Sequence, residues 1–162
     1  MSETFVRAVV ALLSAGCESA LDVGSGPGKY PAPVGRWETI DQYAVAPSHQ
    51  HHQGNALDVL RSMPSGSFDL VYALDFIEHL KFPDGLALLA EMERVASKVV
   101  LVFTPHGFMR YHNEAPGMEH LSGWKKRDFR TRGYLVHVCE FDYGVVTRTT
   151  EAIWAVLRKA GK

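Results

Sequence analysis

Apolar residues near the start of the chain recur at helical spacing. Ser2 precedes this segment as a candidate N-cap, and Gly16 follows it as a terminator. Within residues 3–15 the apolar residues at helical spacing are Phe5, Val6, Val9, Leu12 and Leu13. The pattern predicts an amphipathic first helix.

Four apolar runs after this helix have the length and composition of β-strands. The first ends at Asp22-Val23, and the others cover residues 37–44, 67–73 and 98–103. Between the last two, residues 82–96 repeat apolar side chains at helical intervals, at Leu86, Leu89, Met92 and Val95. The succession of strand, helix and strand favours a parallel sheet.

The C-terminal third has a different pattern. Residues beyond Pro105 are loop-like through Pro116-Gly117, and runs at residues 134–141 and 153–157 could form an antiparallel pair. No internal repeat or linker interrupts the chain. We therefore predict one α/β domain over residues 1–162, with a Rossmann-like, mostly parallel twisted sheet, helices on both faces and an antiparallel C-terminal strand pair.

Composition narrows the range of functions. The 162 residues are 46% hydrophobic and 22% charged, as in ordinary globular proteins. A net charge of -1 provides no global attraction for nucleic acid or anionic membranes. Cys17 and Cys139 have no metal-ligand spacing. The N-terminus lacks a signal-peptide pattern, and no apolar run is long enough to span a bilayer, so we expect a cytoplasmic protein.

The most informative stretch is Leu21-Asp22-Val23-Gly24-Ser25-Gly26-Pro27-Gly28. It follows a predicted strand, and its glycines allow positive φ and close approach of a ligand to the backbone. A tight structural turn is the simpler alternative. A dinucleotide site would need a full helix after the glycines, but Pro31 and Pro33 interrupt any long helix here.

Asp41 lies seventeen residues after Gly24, at the end of the second predicted strand. A carboxylate in this position can accept hydrogen bonds from both ribose hydroxyls of an adenosine ligand. The alternative for Asp41 is an exposed loop acid.

The segments LDVGSGPG, TIDQY, GNALDVL and SFDLVYALDFIEHL resemble, in order and spacing, those of class I S-adenosylmethionine-dependent methyltransferases. This resemblance covers residues 18–105. The segments VVLVFTPHGF and EHLSGWKKRDFRTRGYLV are similar to those of a small subgroup of that superfamily, which extends the match to about residue 138.

The resemblance implies S-adenosyl-L-methionine as the cofactor and assigns its binding residues by position. Its methionine and ribose portions would be lined by Asp22, Gly24, Ser25 and Gly26. The ribose would be held by Asp41, and the adenine would be faced by Asn55 and Ala56 or by Asp58. The sulfonium would be bordered by Asp75 and Phe76. Which of Asn55 and Asp58 contacts the exocyclic amine stays open.

One departure from the common pattern concerns the crossover after the glycine loop. Asp41 lies only thirteen residues after Gly28, too few for a strand and a normal helix. We expect the crossover helix to be short or missing.

Histidines are the candidates for a general base, which methyl transfer needs only when the acceptor loses a proton. His79 follows the strand that ends beside the expected methyl group, although it could equally cap the next helix or bond the backbone. His120 is the second catalytic candidate, and His106 and His112 lie in the same loop region. Each of the loop histidines is individually more typical of a solvated position.

Two further clusters have simple structural interpretations. His49, His51 and His52 lack other residues at ligand spacing, so a solvated loop is favoured and no metal site is predicted. Residues 124–132 combine five basic residues with Trp124 and Phe129. An amphipathic helix with a solvated basic face is favoured there over an RNA-binding patch.

These observations predict a methyltransferase acting on oxygen or nitrogen of an acceptor. The short chain leaves no room for a capping domain, which suits a bulky acceptor such as a glycan or a lipid-linked intermediate. The alternatives are an RNA or other nucleic-acid methyltransferase using residues 125–132, and an inactive cofactor-binding subunit. Nucleic acid is disfavoured as a partner, membrane insertion is not expected, and a homodimer is compatible with the sequence.

Overall fold

The computed structural model describes residues 3–43, 49–110, 118–141 and 150–160. Within them the chain forms four α-helices, seven strands and one 3₁₀ turn at Ile77–His79. The helices are α1 (Glu3–Leu13), α2 (Ala56–Ser62), α3 (Phe82–Val95) and α4 (Lys126–Arg130). The strands are β1 (Ser19–Val23), β2 (Arg36–Asp41), β3 (Gln50–Gln53), β4 (Phe68–Leu74), β5 (Ala96–Pro105), β6 (Leu135–Phe141) and β7 (Thr150–Arg158).

All seven strands belong to one sheet of order β3-β2-β1-β4-β5-β7-β6. The first five in that order are parallel, and β7 runs antiparallel to both β5 and β6. This confirms the mostly parallel α/β sheet and the antiparallel C-terminal pair. Because β2 and β4 lie on opposite sides of β1, the carboxyl ends of β1 and β4 border a crevice of the kind that binds ligands in such sheets.

Apolar side chains alternate along the strands and form a core on each face of the sheet. One core contains Leu21, Val71 and Val100 and is covered by α2, α3 and α4. The opposite core contains Leu70 and Leu101 and is covered by α1. The prediction of helices on both faces is confirmed.

The crossover from β1 to β2 contains no helix, as the short spacing predicts. Its loop lies against the α1 face of the sheet instead. The Tyr72 hydroxyl donates to the Tyr30 carbonyl at 2.7 Å, and the Trp37 indole N–H donates to the Tyr72 hydroxyl at 2.8 Å. These bonds hold the loop in the place that a crossover helix would otherwise cover.

The prediction of a solvated loop at His49, His51 and His52 is wrong. Residues 50–53 form β3 at the sheet edge, and all three histidines are half-buried. His49 and His51 each bond the Thr39 hydroxyl, at 2.9 and 2.8 Å. Pairing with β2 accounts for a strand in so polar a segment, since backbone bonds to a neighbouring strand do not depend on an apolar sequence.

The segment around α4 is amphipathic, as the preferred interpretation of residues 124–132 predicts. Trp124 and Phe129 are fully buried, while Lys125, Lys126 and Arg127 are exposed. The buried Trp124 ring packs against α3 at Gly85, where an added Cβ would lie 2.5 Å from the indole. Glycine is therefore required in α3 for close packing.

Gly85→Ala should destabilise the protein, which is the reverse of the usual effect of this change in a helix. Helix propensity alone favours alanine by about 1 kcal/mol, but forcing the indole aside costs roughly 1–3 kcal/mol. Urea denaturation would measure the free energy of unfolding. Ala90 is exposed in the same helix, so Ala90→Gly measures the effect of helix propensity alone. A Gly85→Ala variant more stable than the wild type would contradict the packing argument.

Among the described residues, no helix is both long and apolar enough to cross a membrane.

Candidate active site

A cavity of about 670 Å³ opens at the carboxyl ends of β1, β2 and β4. The loops after these strands form its walls, together with the start of α2. Its position is the crevice expected from the strand order.

The glycine loop after β1 forms one wall of this cavity. The Gly24 and Ser25 amides both donate to the Ile40 carbonyl, at 2.8 and 3.1 Å, which fixes the loop against β2. Gly24 and Gly26 have φ of 71° and 52°, a region that residues with a side chain avoid. A Cβ on Gly24 would lie 2.0 Å from the Phe76 ring, so the Phe76 side chain packs directly on the loop backbone.

Asp41 at the end of β2 organises the same loop. Its Oδ2 accepts the Gly26 amide at 2.8 Å, and its Oδ1 accepts the Tyr43 amide at 3.0 Å. The exposed-loop alternative for Asp41 is wrong, because the residue is buried at 9% exposure and lines the cavity. A carboxylate has about four acceptor positions, so further hydrogen bonds to a ligand remain available.

Asp22 lies at the base of the cavity beside Asp41. It is 3% exposed, and this burial raises the pKa of its carboxyl well above the usual value. The nearby Asp41 carboxylate raises the pKa further, whereas the Tyr72 hydroxyl acts in the opposite direction. A cationic ligand group would relieve the electrostatic cost of ionising Asp22 at this point.

Asn55 and Asp58 occupy different positions at the start of α2. Asn55 is the N-cap of the helix, and its Oδ1 accepts the Leu57 and Asp58 amides at 3.0 and 3.3 Å. Asp58 is exposed, and its carboxylate lies 3.6 Å from the Arg61 guanidinium. The amide oxygen of Asn55 is therefore already used by the helix, while Asp58 presents a carboxylate at the cavity rim.

Asp75 and Phe76 continue from the end of β4 into the cavity wall. Asp75 has φ of 50°, a conformation that Asp tolerates better than most residues with a side chain. Its amide donates to the Phe103 carbonyl at 2.9 Å, so the carboxyl end of β5 holds this turn. Backbone strain of this kind is concentrated at ligand-binding and catalytic positions.

The cavity brings together all ten residues that the sequence assigns to cofactor contact, as well as His79. Sequence reasoning missed several other lining residues, for which the glycine and strand-end patterns gave no signal. Those that carry a polar or aromatic side chain are Lys29, Tyr30, Gln42, Tyr43 and Asp84.

A search of protein-family models matches residues 21–103 to the methyltransferase-domain family. The chain belongs to this family. The resemblance to class I S-adenosylmethionine-dependent methyltransferases is thereby confirmed, and with it the enzyme class and the cofactor. No curated protein sequence matches the chain.

Solved structures share the fold at low sequence identity. An S-adenosylmethionine-dependent methyltransferase of Archaeoglobus fulgidus is 16% identical with a TM-score of 0.67, over 96% of this chain and 95% of that one. The N-terminal domain of EvdMO1, with S-adenosylhomocysteine bound, is 13% identical with a TM-score of 0.67, over 99% and 82%. Magnesium protoporphyrin IX methyltransferase of Synechocystis PCC 6803, with S-adenosylmethionine bound, is 15% identical with a TM-score of 0.60, over 95% and 78%.

His79 of this methyltransferase lines the cavity just after β4, and His120 lies directly behind it. The two imidazole centroids are 5.0 Å apart. Nδ1 of His79 lies 3.1 Å from the Glu119 carbonyl, and Nδ1 of His120 lies 2.8 Å from the Met109 carbonyl. Burial lowers the pKa of both imidazoles, which favours their neutral forms.

Glu78 is a functional candidate that the sequence analysis missed, although it lies between Ile77 and His79 in the segment SFDLVYALDFIEHL. The side chain is buried at 2% exposure, and this burial raises the pKa of its carboxyl. Its Oε2 accepts the Thr104 hydroxyl at 2.9 Å, whereas its buried Oε1 has no hydrogen-bond partner. A glutamate followed by a histidine a few residues after a predicted strand was the available signal.

The remaining histidines lie away from the cavity or outside the described residues. His106 Nδ1 is 2.6 Å from the Glu151 carboxylate, and His52 Nε2 is 2.6 Å from the Glu38 carboxylate. Neither residue lines the cavity. His112 lies outside the described residues.

Proposed function

We propose that this methyltransferase transfers the methyl group of S-adenosylmethionine to an oxygen or nitrogen of its acceptor, using the cavity at the ends of β1, β2 and β4. The supporting observation is the convergence of all ten sequence-assigned residues on that one cavity. The cofactor supplies an electrophilic methyl group on a positively charged sulfur.

The charge of the cavity supports a cationic ligand. Five carboxylates are among the lining residues: Asp22, Asp41, Asp58, Asp75 and Asp84. The lining lysine, Lys29, forms an ion pair with Glu3. Carboxylates suit the sulfonium and ammonium groups of S-adenosylmethionine and disfavour a pyrophosphate, which usually binds at a helix N-terminus after the glycines.

Individual roles follow from the hydrogen-bonding capacity of each side chain. Asp41 accepts from the ribose hydroxyls, since its carboxylate retains acceptor positions beyond those used by the loop. Asp58 accepts from the exocyclic amine of adenine, because the Asn55 amide oxygen is occupied at the helix cap. The amide N–H groups of Asn55 are then available as donors to a ring nitrogen.

The shape of the site favours a bulky acceptor such as a glycan or a lipid-linked intermediate. The loop after β1 contains no helix that could cover the cavity, and the cavity opens at the carboxyl ends of the strands. A structure of the EvdMO1 N-terminal domain, which has a similar fold, was obtained in the presence of S-adenosylhomocysteine and D-fucose. A sugar acceptor for this chain is consistent with that fold.

The exposed basic side chains around α4 support the nucleic-acid alternative less well. The Arg132 guanidinium is held by the Glu93 carboxylate at 2.7 and 2.8 Å, and Arg127 lies 3.6 Å from Asp128. These carboxylates reduce the positive potential of the segment. One domain over residues 1–162, a cytoplasmic location and a homodimer stay predictions from the sequence.

Calorimetry with S-adenosylhomocysteine tests the binding half of the proposal. We expect one site per chain that survives moderate salt, since little of the binding energy should come from long-range charge attraction. Labelled S-adenosylmethionine with fractionated cell extract would then show which molecule gains the methyl group. Absence of binding by the folded protein would refute the proposal, whereas label in RNA alone would favour the nucleic-acid alternative.

A further inference from the structure

Two segments of the chain bring three metal-binding side chains together behind the cavity wall. Glu78 and His79 belong to the 3₁₀ turn after β4, and His120 comes from the loop before α4. One donor atom from each residue lies within 4.8 Å of the other two. Among the described residues, no other group of three or more histidines, cysteines and carboxylates meets this criterion.

We propose that Glu78, His79 and His120 bind a divalent first-row transition-metal ion that borders the methyl-acceptor site. This departs from the sequence-based prediction of no metal. The expected role of the metal in methyl transfer rests on the proposed function, whereas metal binding itself can be measured without it.

The donor set matches the ligand chemistry of such ions. Two imidazoles and one carboxylate hold catalytic zinc in several enzyme families and leave a coordination position open, while Mg²⁺ prefers oxygen ligands alone. In a tetrahedral site, donors bound at about 2.0–2.2 Å lie roughly 3.3–3.6 Å apart. Donor atoms up to 4.8 Å apart would therefore need to approach one another by at most about 1.5 Å.

Hydrogen bonds already orient both imidazoles for metal binding. The Nδ1 atoms of His79 and His120 face the carbonyls of Glu119 and Met109, which favours the tautomer with the proton on Nδ1 and the lone pair on Nε2. Metal-ligating histidines usually donate their second N–H to a carbonyl or carboxylate in this way. Two separate backbone carbonyls thus favour the same tautomer in both rings.

Glu78 gives an independent indication of an absent ligand. Its Oε1 is buried and has no hydrogen-bond partner, although Oε2 accepts the Thr104 hydroxyl at 2.9 Å. A buried carboxylate oxygen without a partner is costly and calls for an ion or a water. A positive ion between the imidazoles and this carboxylate would remove that cost.

The backbone fixes the two ligand segments relative to each other. The Leu121 and Ser122 amides both donate to the Glu78 carbonyl, at 2.8 and 3.1 Å. The Ser122 hydroxyl in turn accepts the indole N–H of the buried Trp124 at 3.0 Å. His120 is thereby held beside the turn that contains Glu78 and His79, as a preformed site requires.

The location of the site indicates the class of acceptor. His79 lines the cavity beside Asp75 and Phe76, so an open coordination position would face the methyl end of the cofactor pocket. Binding to such an ion lowers the pKa of a hydroxyl, so the proton leaves to solvent. The oxygen then bonds to the methyl carbon as the C–S bond breaks and its electron pair stays on sulfur, which gives a methyl ether. We therefore expect a hydroxyl acceptor.

Titration of the chelator-treated full chain with Zn²⁺ and Co²⁺ tests the site directly. We expect one ion per chain by calorimetry, and visible Co²⁺ absorption bands typical of nitrogen and oxygen ligands. Glu78→Gln keeps the shape and the Thr104 bond, and His120→Ala removes a ligand that does not line the cavity. Each should weaken metal binding by at least about 10- to 100-fold, the range known for outer-shell partners alone.

His137→Ala is the matched control, because His137 is exposed on the edge strand β6. It should bind Zn²⁺ like the wild type. All variants are checked by thermal unfolding, and His120→Ala should retain S-adenosylhomocysteine binding. The metal site would be overturned, with the proposed function intact, if the wild-type chain bound S-adenosylhomocysteine but no metal. The same would follow if the ligand variants bound metal as tightly as the wild type. Zn²⁺ binding without S-adenosylhomocysteine binding would support the site and refute the proposed function.

Discussion

Gly24→Val should abolish detectable S-adenosylhomocysteine binding and lower the free energy of unfolding. At φ of 71° a side chain costs roughly 1–2 kcal/mol. The new Cβ would also lie 2.0 Å from the Phe76 ring, and overpacking of this kind costs about 1–3 kcal/mol more. Relief of the clash requires movement of Phe76 or of the loop, and both form the cavity wall. Calorimetry and urea denaturation measure the two effects.

Gly16→Val separates backbone strain from the clash. Gly16 has φ of 78°, and a Cβ there would meet no atom within 4 Å. This control should lose stability through its backbone alone and bind S-adenosylhomocysteine normally. If Gly24→Val were folded and bound the ligand with wild-type affinity, the loop after β1 would be only a structural turn.

A double substitution tests whether the ring contact carries the additional effect. In Gly24→Ala the clash and the strain are both present, whereas Gly24→Ala combined with Phe76→Ala retains only the strain and the loss of the ring. We expect the pair to be less destabilised than the sum of the single variants, because the two changes share one contact. Strict additivity would show that Phe76 yields without cost.

The sequence predicted most of the sheet because its strands are marked by local apolar patterns. Each parallel strand between Ser19 and Pro105 contains apolar residues except β3, and β3 is the strand that the apolar pattern did not predict. Residues 50–53 contain only glutamine and histidine, and their conformation depends on pairing with β2. Pairing between strands leaves no local signal in so polar a segment.

In the site, likewise, some residues could be predicted from local sequence and some contacts could not. The positions of Gly24, Asp41 and Asp75 followed from strand ends and glycines, since the carboxyl ends of parallel strands meet at one edge. The second use of Asp41, as acceptor for the Gly26 amide, could not be predicted because it depends on loop geometry. The cluster at Glu78 depends on a contact with His120 across more than forty residues, which one sequence does not reveal.

Asp41→Ala should weaken S-adenosylhomocysteine binding by at least about 10- to 150-fold, which corresponds to the roughly 1.5–3 kcal/mol of a hydrogen bond to a charged group. The carboxylate is expected to contact the ribose, and it also accepts the Gly26 amide at 2.8 Å and the Tyr43 amide at 3.0 Å. Its removal therefore affects the ligand and the loop together. Binding is measured by calorimetry on variants whose folding is checked by circular dichroism.

Two variants distinguish these contributions. Asp41→Asn can still accept the Gly26 amide through its oxygen, but its NH2 group replaces the acceptor of the Tyr43 amide, so it should keep the bond to the glycine loop, lose part of the loop stability and lose ligand affinity. Asp69→Ala is the matched control, because Asp69 accepts the Glu18 amide at 2.8 Å and the Ser97 hydroxyl at 2.7 Å outside the cavity. It should lose stability and keep full affinity. Wild-type affinity in folded Asp41→Ala would exclude this carboxylate from ligand binding, whereas weak binding by Asp41→Ala with normal binding by Asp41→Asn would assign its effect to the loop alone.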